Sequence, residues 1–481
     1  MKSQKLQDKL RFHFPFTPTK EQDELFTDIA DFVGTIGNRS IFMLKGYAGT
    51  GKTTLVSTLV KSLPVLGKRS VLMAPTGRAA KVLGKYSKKS ASTIHKKIYW
   101  IRTNKSGNTY ITLKDNTHSN TIFIVDEASM IAENSDKGFG NRSLLDDLIE
   151  YVYNGSDCKL ILIGDTAQLP PVHLDISPAL EEEGLERKYS KQVICRELTQ
   201  VVRQKNDSLI LENATALRDK ISTNDYSYPQ LKTNSEVIRL NTGEDLQDAL
   251  ESAYSNDGVN STTVLCRSNK RANQYNQQIR AKIRWQEDEI SAGDMLMIVR
   301  NNYYWLDDSS KAGFIANGDI VEVIKITDRI ERYGFRFAKA SVQMVDYPDE
   351  KSLDVIVLLD TLTSESPAIT YDQYQHLYKE VAKDYKGQKE LNKRIKEDEF
   401  FNALQIKFAY AITCHKSQGG QWENVFIDLG YFTEDMLDKS YLRWLYTAMT
   451  RASNKLYLIN FIYFNMFRSF IKNDRLFFFT K

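Results

Sequence analysis

Residues 46–53, GYAGTGKT, set two glycines, a lysine and a threonine in the order G-x-x-x-x-G-K-T. The apolar run IFML ends one residue before them, and the helical stretch TTLVSTLVKSL begins at their last residue, Thr53. Few local patterns restrict a fold so tightly. A buried strand has to deliver the loop, glycines have to let successive backbone N–H groups curl around an anion, and a helix has to start where the loop stops. Such a strand–loop–helix unit predicts a parallel α/β sheet.

The neighbouring segments agree. Between Ile41 and about Ile163 the runs IFMLKG, SVLMAP, TIFIVDEAS and KLILIGD each end in polar loop residues, as buried parallel strands do. In an open α/β sheet the loops at the carboxyl ends of the strands bind the ligand. Residues 96–119 carry two β-rich stretches around NKSGN and predict a protruding hairpin. A second α/β unit is expected to start at VICRELTQ (193–200) and to continue through TTVLCRSN (262–269). It resumes at ALQIKFAYAITCHKSQG (403–419) and KLYLINF (455–461). Between its halves, GDMLMIVRNNYYW and NGDIVEVIKI read as strands of a small barrel, and 371–400 as a charged helical run projecting into solvent.

Composition adds bounds. The 481 residues, 42% hydrophobic and 26% charged, suit a soluble globular chain with at least two cores. A net charge of +4 permits nucleic acid without arguing for it. Cys158, Cys195, Cys266 and Cys414 form no C-x-x-C pair and stand near no histidine at metal-ligand spacing, so a reduced, cytoplasmic protein without structural zinc is expected. MKSQKLQDKLRFHF has no apolar signal core. The apolar tail is broken by Arg468, Lys472 and Arg475, which predicts a docked aromatic element and no membrane span.

The phosphate chemistry follows from the residues. The cradle is Gly46, Ala48, Gly49, Thr50, Gly51, Lys52, Thr53 and Thr54. Lys52 neutralises β- and γ-phosphates, and the Thr53 hydroxyl holds Mg²⁺. In IFIVDEASM, Asp126 ends a buried strand where its carboxylate reaches the metal, and Glu127 polarises the attacking water. Two adjacent acids are also a helix N-cap pattern; beside a P-loop they predict binding and hydrolysis of Mg·ATP.

Seven segments, these two among them, fall in one order, and together they resemble the superfamily 1 DNA helicases of the RecD/Dda type. GYAGTGKTT is similar to that family's motif I, APTGRAA (74–80) to motif Ia and IVDEASM to motif II. LIGDTAQLPPV (162–172) resembles motif III, LTQVVRQ (198–204) motif IV, TCHKSQGGQW (413–422) motif V and YTAMTRA (446–452) motif VI. The resemblance runs from TPTKEQ near the N-terminus to YTAMTRASNKLYL. It implies that Gln22 reads the adenine edge and that Gln168 senses the γ-phosphate. It also implies that Arg203 and Arg451 reach across from the second lobe to the transferring phosphoryl group. Where the family often has Glu two positions after the motif V glycine, this chain has Gln421, an amide that adds no charge.

For DNA, the resemblance implies contacts from Pro75, Thr76 and His95 on the first lobe, and from Thr413, His415 and Lys416 on the second. Such donors grip phosphates without reading sequence. The implied division is a first RecA-like lobe at 1–95 and 120–192, a pin or wedge at 96–119, a second RecA-like lobe at 193–285 and 404–481, and an SH3-like and tower insertion at 286–403. Tyr99 and Trp100 either face the last base pair or pack the hairpin onto its own lobe. The expected activity is ATP-dependent movement on single-stranded DNA, 5′ to 3′ by the branch resembled, with unwinding of tailed duplex DNA. A protein-stripping translocase, a DNA-binding nuclease-complex subunit and a P-loop small-molecule kinase are the alternatives.

Overall fold

The computed structural model describes residues 2–37, 39–103, 109–132, 143–201, 208–306, 310, 312–388 and 390–461. They form two compact units, residues 1–101 with 111–207 and residues 208–481 with 102–110.

The first unit is a six-stranded sheet made of β1 (Ser40–Gly46), β2 (Arg69–Ala74), β3 (Ala91–Thr93), β6 (Thr121–Val125), β7 (Lys159–Gly164) and β8 (Gln192–Leu198). β4 (Tyr99–Thr103) and β5 (Thr109–Leu113) pair apart from it as the expected hairpin. The sheet order is β3-β2-β6-β7-β1-β8, and every neighbouring pair is parallel. Both faces are covered. Phe42 and Leu44 of β1 join a core with helices Lys20–Gly34 and Lys52–Ser62, while Ile41 and Met43 join another with helix Leu144–Tyr153. That split is the two-residue period of a strand buried on both sides. Truncating Phe42 to Ala removes a fully buried ring and costs about 3–5 kcal/mol. Lys159 is buried at the start of β7, where its ammonium donates to the carbonyls of Phe32 and Thr35 at the end of helix Lys20–Gly34. Burial there pulls its pKa down to about 8.

One boundary moves. VICREL, expected to open the second unit, is β8, and it lies parallel to β1 at the edge of the first sheet, with Ser40 opposite Gln192 and Gly46 opposite Leu198. Parallel strands do not pair in chain order, so an apolar run after a long connection fits either sheet by pattern alone.

In the second unit, β9 (Val237–Leu240), β10 (Thr262–Cys266), β16 (Ala411–Thr413), β17 (Trp422–Asp428) and β18 (Ala452–Ile459) make an all-parallel sheet in the order β16-β10-β17-β18-β9. A closed barrel interrupts it, formed by β11 (Met295–Ile298), β12 (Ile320–Arg332), β13 (Phe335–Met344), β14 (Leu353–Leu358) and β15 (Leu404–Phe408). LQIKF was expected to restart the second lobe at 404. It closes the barrel instead, with Leu296 opposite Phe408, and the parallel sheet resumes at Ala411. The charged run is also not one free-standing helix. Helices Tyr371–Asp384 and Leu391–Lys396 bury Leu377, Val381 and Ile395 against Phe337, Ile356 and Phe400. The charges occupy only the outer face of an amphipathic pair. No helix among the described residues is long and apolar enough to cross a membrane, and the aromatic tail lies outside the described residues.

Candidate nucleotide site and nucleic-acid contacts

The loop between β1 and helix Lys52–Ser62 has the geometry its glycines predict. Gly49 and Gly51 have φ of +81° and +90°, the left-handed region that side chains disfavour. A Cβ on Gly51 would also come within 2.9 Å of the Gln22 amide nitrogen. Helix Lys52–Ser62 starts without a side-chain cap, so its first N–H groups remain open to an anion. Lys52 Nζ donates to the Gly46 and Tyr47 carbonyls, at 2.5 and 2.8 Å, which holds the ammonium over the loop. Thr50 Oγ1 donates to Tyr47 O at 2.9 Å. Ala48, Thr53 and Thr54 are half-buried around the same turn.

Gln22 is next to this loop but is not a surface residue; it is 1% exposed. Its Oε1 accepts from Thr19 N at 3.1 Å, completing a capping box with Thr19. Its Nε2 donates to Thr50 O at 3.1 Å. The amide thus ties the start of helix Lys20–Gly34 to the phosphate loop. The capping pattern T-K-E-Q was present in the sequence, but the Thr50 carbonyl partner had no signal there.

Asp126 follows β6, and its Oδ1 accepts from Glu127 N at 2.9 Å. Desolvation pushes the Asp126 carboxyl up in pKa, against the Glu127 N–H and the charge of Lys52. A carboxylate oxygen with the Thr53 hydroxyl is a hard-oxygen pair, and a desolvated carboxylate gains most from a small divalent cation, so the donor set fits Mg²⁺. Glu127 has φ of +54°. Left-handed backbone at a non-glycine residue costs on the order of 1–3 kcal/mol and is concentrated at working sites. Beyond β7, buried Asp165 accepts from Ala167 N at 2.9 Å and shapes the turn that carries Gln168. Gln168 is 6% exposed, and its Oε1 is buried with no hydrogen-bond partner among the described residues.

The nucleic-acid candidates of the first unit stand on the same sheet edge. Pro75 and Thr76 follow β2, and Ala74 lies opposite Thr93, which ends β3 and precedes His95. Thr76 Oγ1 caps helix Gly77–Ser87 by accepting from Ala79 N at 3.2 Å. Its own O–H stays available as a donor. His95 lies 5.7 Å from the Tyr99 ring. The two hairpin aromatics differ in their surroundings. Tyr99 is buried and donates to Asp147 Oδ2 at 2.7 Å, anchoring the hairpin to its unit. Trp100 is 53% exposed, with Lys114 Nζ 4.4 Å from its ring.

In the second unit, Thr413 ends β16 and the turn Cys414–Ser417 follows. His415 is exposed, whereas Lys416 Nζ is buried with no hydrogen-bond partner among the described residues. Burial, then the charge of Lys407, pulls the Lys416 pKa down to about 8. Arg451 is 4% exposed, donating from Nε to Thr447 O at 3.1 Å and from Nη1 to Gly420 O at 3.3 Å. These bonds fasten the arginine of the motif VI segment to the loop of the motif V segment. Gln421 is exposed. Arg203 lies outside the described residues.

A parallel sheet with a glycine phosphate loop on one strand end and an acid pair on another defines a P-loop nucleoside triphosphatase. Family models agree: residues 19–230 match the AAA domain, and residues 408–459 match the UvrD-like helicase C-terminal domain. The chain is similar to the ATP-dependent RecD2 DNA helicase of Deinococcus radiodurans, 29% identical over 42% of this chain and 25% of that one. It is similar to the ATP-dependent DNA helicase dda of Enterobacteria phage T4, 27% identical over 59% of this chain and 62% of that one. With the ATP-dependent DNA helicase Pif1 of Campylobacter jejuni it shares 24% identity over 85% and 86% of the two chains. Together these matches make the chain similar to superfamily 1 helicases of the RecD, Dda and Pif1 type.

Proposed function

We propose that this chain is an ATP-dependent DNA helicase that moves 5′ to 3′ on single-stranded DNA and unwinds tailed duplexes. Turnover of Mg·ATP is coupled to closure and opening of its two α/β units. One observation supports this reading above the others: the order of loops along the carboxyl edge of the first sheet. Thr93 and His95 follow β3, Pro75 and Thr76 follow β2, Asp126 and Glu127 follow β6, Gln168 follows β7, and the phosphate loop follows β1. Strands lie about 4.8 Å apart, so the phosphate loop and the Thr76 cap are separated by three spacings, roughly 14 Å. The acids and Gln168 occupy the two strands between them.

Thr53 and Asp126 are the residues that would hold Mg²⁺, which when bound neutralises phosphate charge. Lys52 neutralises the β- and γ-phosphates, and Glu127 orients and deprotonates the attacking water. Arg451, with Arg203, stabilises the transferring phosphoryl group. For Arg451 to do so, its bonds to Gly420 and Thr447 must open, which links phosphate sensing to the loop bearing Thr413, His415 and Lys416. Steady-state ATPase with and without a single-stranded DNA oligonucleotide tests the reading. Stimulation by DNA is expected, and a rate indifferent to DNA overturns it.

A further inference from the structure

Charge is distributed very unevenly in this chain. Residues 32–114 contain 16 lysines and arginines and no aspartate or glutamate, whereas the rest of the chain has 49 basic and 61 acidic residues. Binding ATP and gripping a tracking strand account for a few of these cations, chiefly Lys52. Several others collect at the opposite edge of the first sheet, by the amino ends of β2 and β6. The length of β2 separates this edge from the nucleotide loops, about 17–20 Å for six residues.

A cavity of about 480 Å³ opens there, lined by Lys68, Arg69, Ser70, Lys89 and His118 among others. Lys68 is neutralised, with its Nζ 2.8 Å from Asp157 and 2.7 Å from Asn120 Oδ1. Lys89, Arg69 and Lys97 have no acidic partner among the described residues. Among the described residues Lys89 Nζ has only a neutral partner, Ser70 Oγ at 2.7 Å. Arg69 and Lys97 form no side-chain ion pair or hydrogen bond among the described residues. Lys114 Nζ donates to the Lys96 carbonyl at 2.7 Å while lying over the exposed Trp100 ring. The groups also feel one another. Besides burial, the charges of Lys97 and Arg69 lower the pKa of His118, and those of Lys97 and Lys96 lower that of Lys114. A folded protein gains nothing from uncompensated cations held this close. They are a cost that a polyanion removes. The strip runs from the cavity past His118 and Lys97 to the stem of the hairpin, where Lys114 and Trp100 add a cation and a stacking face.

We infer that this strip binds the sugar-phosphate backbone of the displaced DNA strand, guiding it away from the hairpin along the side opposite the tracking strand. The inference rests on the helicase reading above. It identifies the second strand as the ligand because the strip begins at the hairpin stem and leads to the cavity at the amino end of β2, the sheet edge opposite the loop of Pro75 and Thr76. Contacts of this kind are independent of sequence and strongly dependent on salt. Each phosphate neutralised on a single strand contributes about 0.7 to the slope of log affinity against log salt.

The test is fluorescence anisotropy with the full chain on a 5′-tailed duplex and on the same duplex carrying an added 3′ single-stranded arm. The wild type should bind the fork at least about tenfold tighter at low salt, with a salt slope steeper by roughly two for three phosphates. The triple variant Arg69→Ala, Lys89→Ala, Lys97→Ala should lose that gain and the extra slope. It should bind the 5′-tailed duplex as the wild type does and keep its DNA-stimulated ATPase. The pair Lys89→Arg, Lys97→Arg, which preserves charge, should keep the gain and so show that charge is what matters. A fork gain that survives in the triple variant, or none in the wild type, overturns the inference. Wild-type ATPase unmoved by single-stranded DNA would instead overturn the helicase reading.

Discussion

Gln22→Ala separates two accounts of the residue that joins the first helix to the phosphate loop. The family resemblance gives Gln22 the adenine edge. The geometry gives its amide to Thr19 N and Thr50 O, each at 3.1 Å. Truncation removes two neutral hydrogen bonds, each worth a net ~1 kcal/mol. It also strands the carbonyl of the fully buried Thr50, which adds on the order of 1 kcal/mol. A loss of roughly 2–3 kcal/mol corresponds to a fall in Tm of about 5–10 °C for a unit of this size. The freed loop then pays its ordering cost when nucleotide binds, and about 1.4 kcal/mol of that weakens binding tenfold. ATP and GTP should be weakened equally, because the clamp touches the loop and not the base. Gln22→Glu sharpens the test. Its carboxylate still accepts from Thr19 N at a helix N-terminus, where negative charge is favoured, but it cannot donate to Thr50 O. Tm and nucleotide affinity should therefore both stay low, because the Thr50 carbonyl remains unpaired and faces a carboxylate oxygen in a buried site. Differential scanning fluorimetry and titration with fluorescent ATP and GTP analogues read both quantities. Loss of ATP affinity with GTP affinity intact would refute the clamp in favour of base reading, and no change in either would refute both.

Three other outcomes are expected. Lys52→Ala should cut ATP turnover by roughly 10²–10³ in a folded protein, and Glu127→Gln should retain Mg·ATP while kcat falls about 10²–10⁴; equilibrium binding beside single-turnover kinetics checks both. The folded pKa of Asp126 lies above its unfolded value, so its contribution to the metal-free fold is present at low pH and lost as pH rises through the folded pKa. Asp126→Asn, which keeps the acceptor for Glu127 N, should remove that dependence. Its Tm advantage over metal-free wild type should therefore widen from pH 5 upward, and a constant difference would contradict the burial argument. Replacing residues 102–110 with a short glycine-containing turn, while sparing the Tyr99 anchor, should preserve DNA-stimulated ATPase and impair strand displacement. Full unwinding by that variant would place the wedge elsewhere.

The parts of the fold that were legible in the sequence are those fixed by local rules. A glycine loop between an apolar strand and a helix has one arrangement, and Gly49, Gly51 and Lys52 adopt it. The acid pair after TIFIV and the hairpin around NKSGN were readable for the same reason. Decisions made by tertiary pairing were not readable. VICREL and LQIKF are short apolar runs whose sheet is chosen by partners far away in the chain, and both went to a sheet other than the one expected. Side-chain partners were hidden in the same way. Nothing in TPTKEQ announces the Thr50 carbonyl, and nothing in YTAMTRA announces that Arg451 is held by Gly420. Nor does TCHKSQ reveal that Lys416 points its ammonium into protein while His415 stays exposed. The charged run at 371–400 misled because its apolar positions, Leu377 and Val381, are sparse and its core partners lie in the barrel.

Strand displacement on two matched substrates, a duplex with a 5′ single-stranded tail and one with a 3′ tail, is the most direct test of the central claim. Each base-pair step opened costs on the order of 1.4 kcal/mol in lost stacking, so sustained unwinding requires coupled turnover. ATP-dependent unwinding of the 5′-tailed duplex is expected, with little of the 3′-tailed duplex and none of either by Lys52→Ala. Preferential unwinding of the 3′-tailed duplex would contradict the direction of travel, and failure to unwind either while ATP is hydrolysed would contradict the helicase itself.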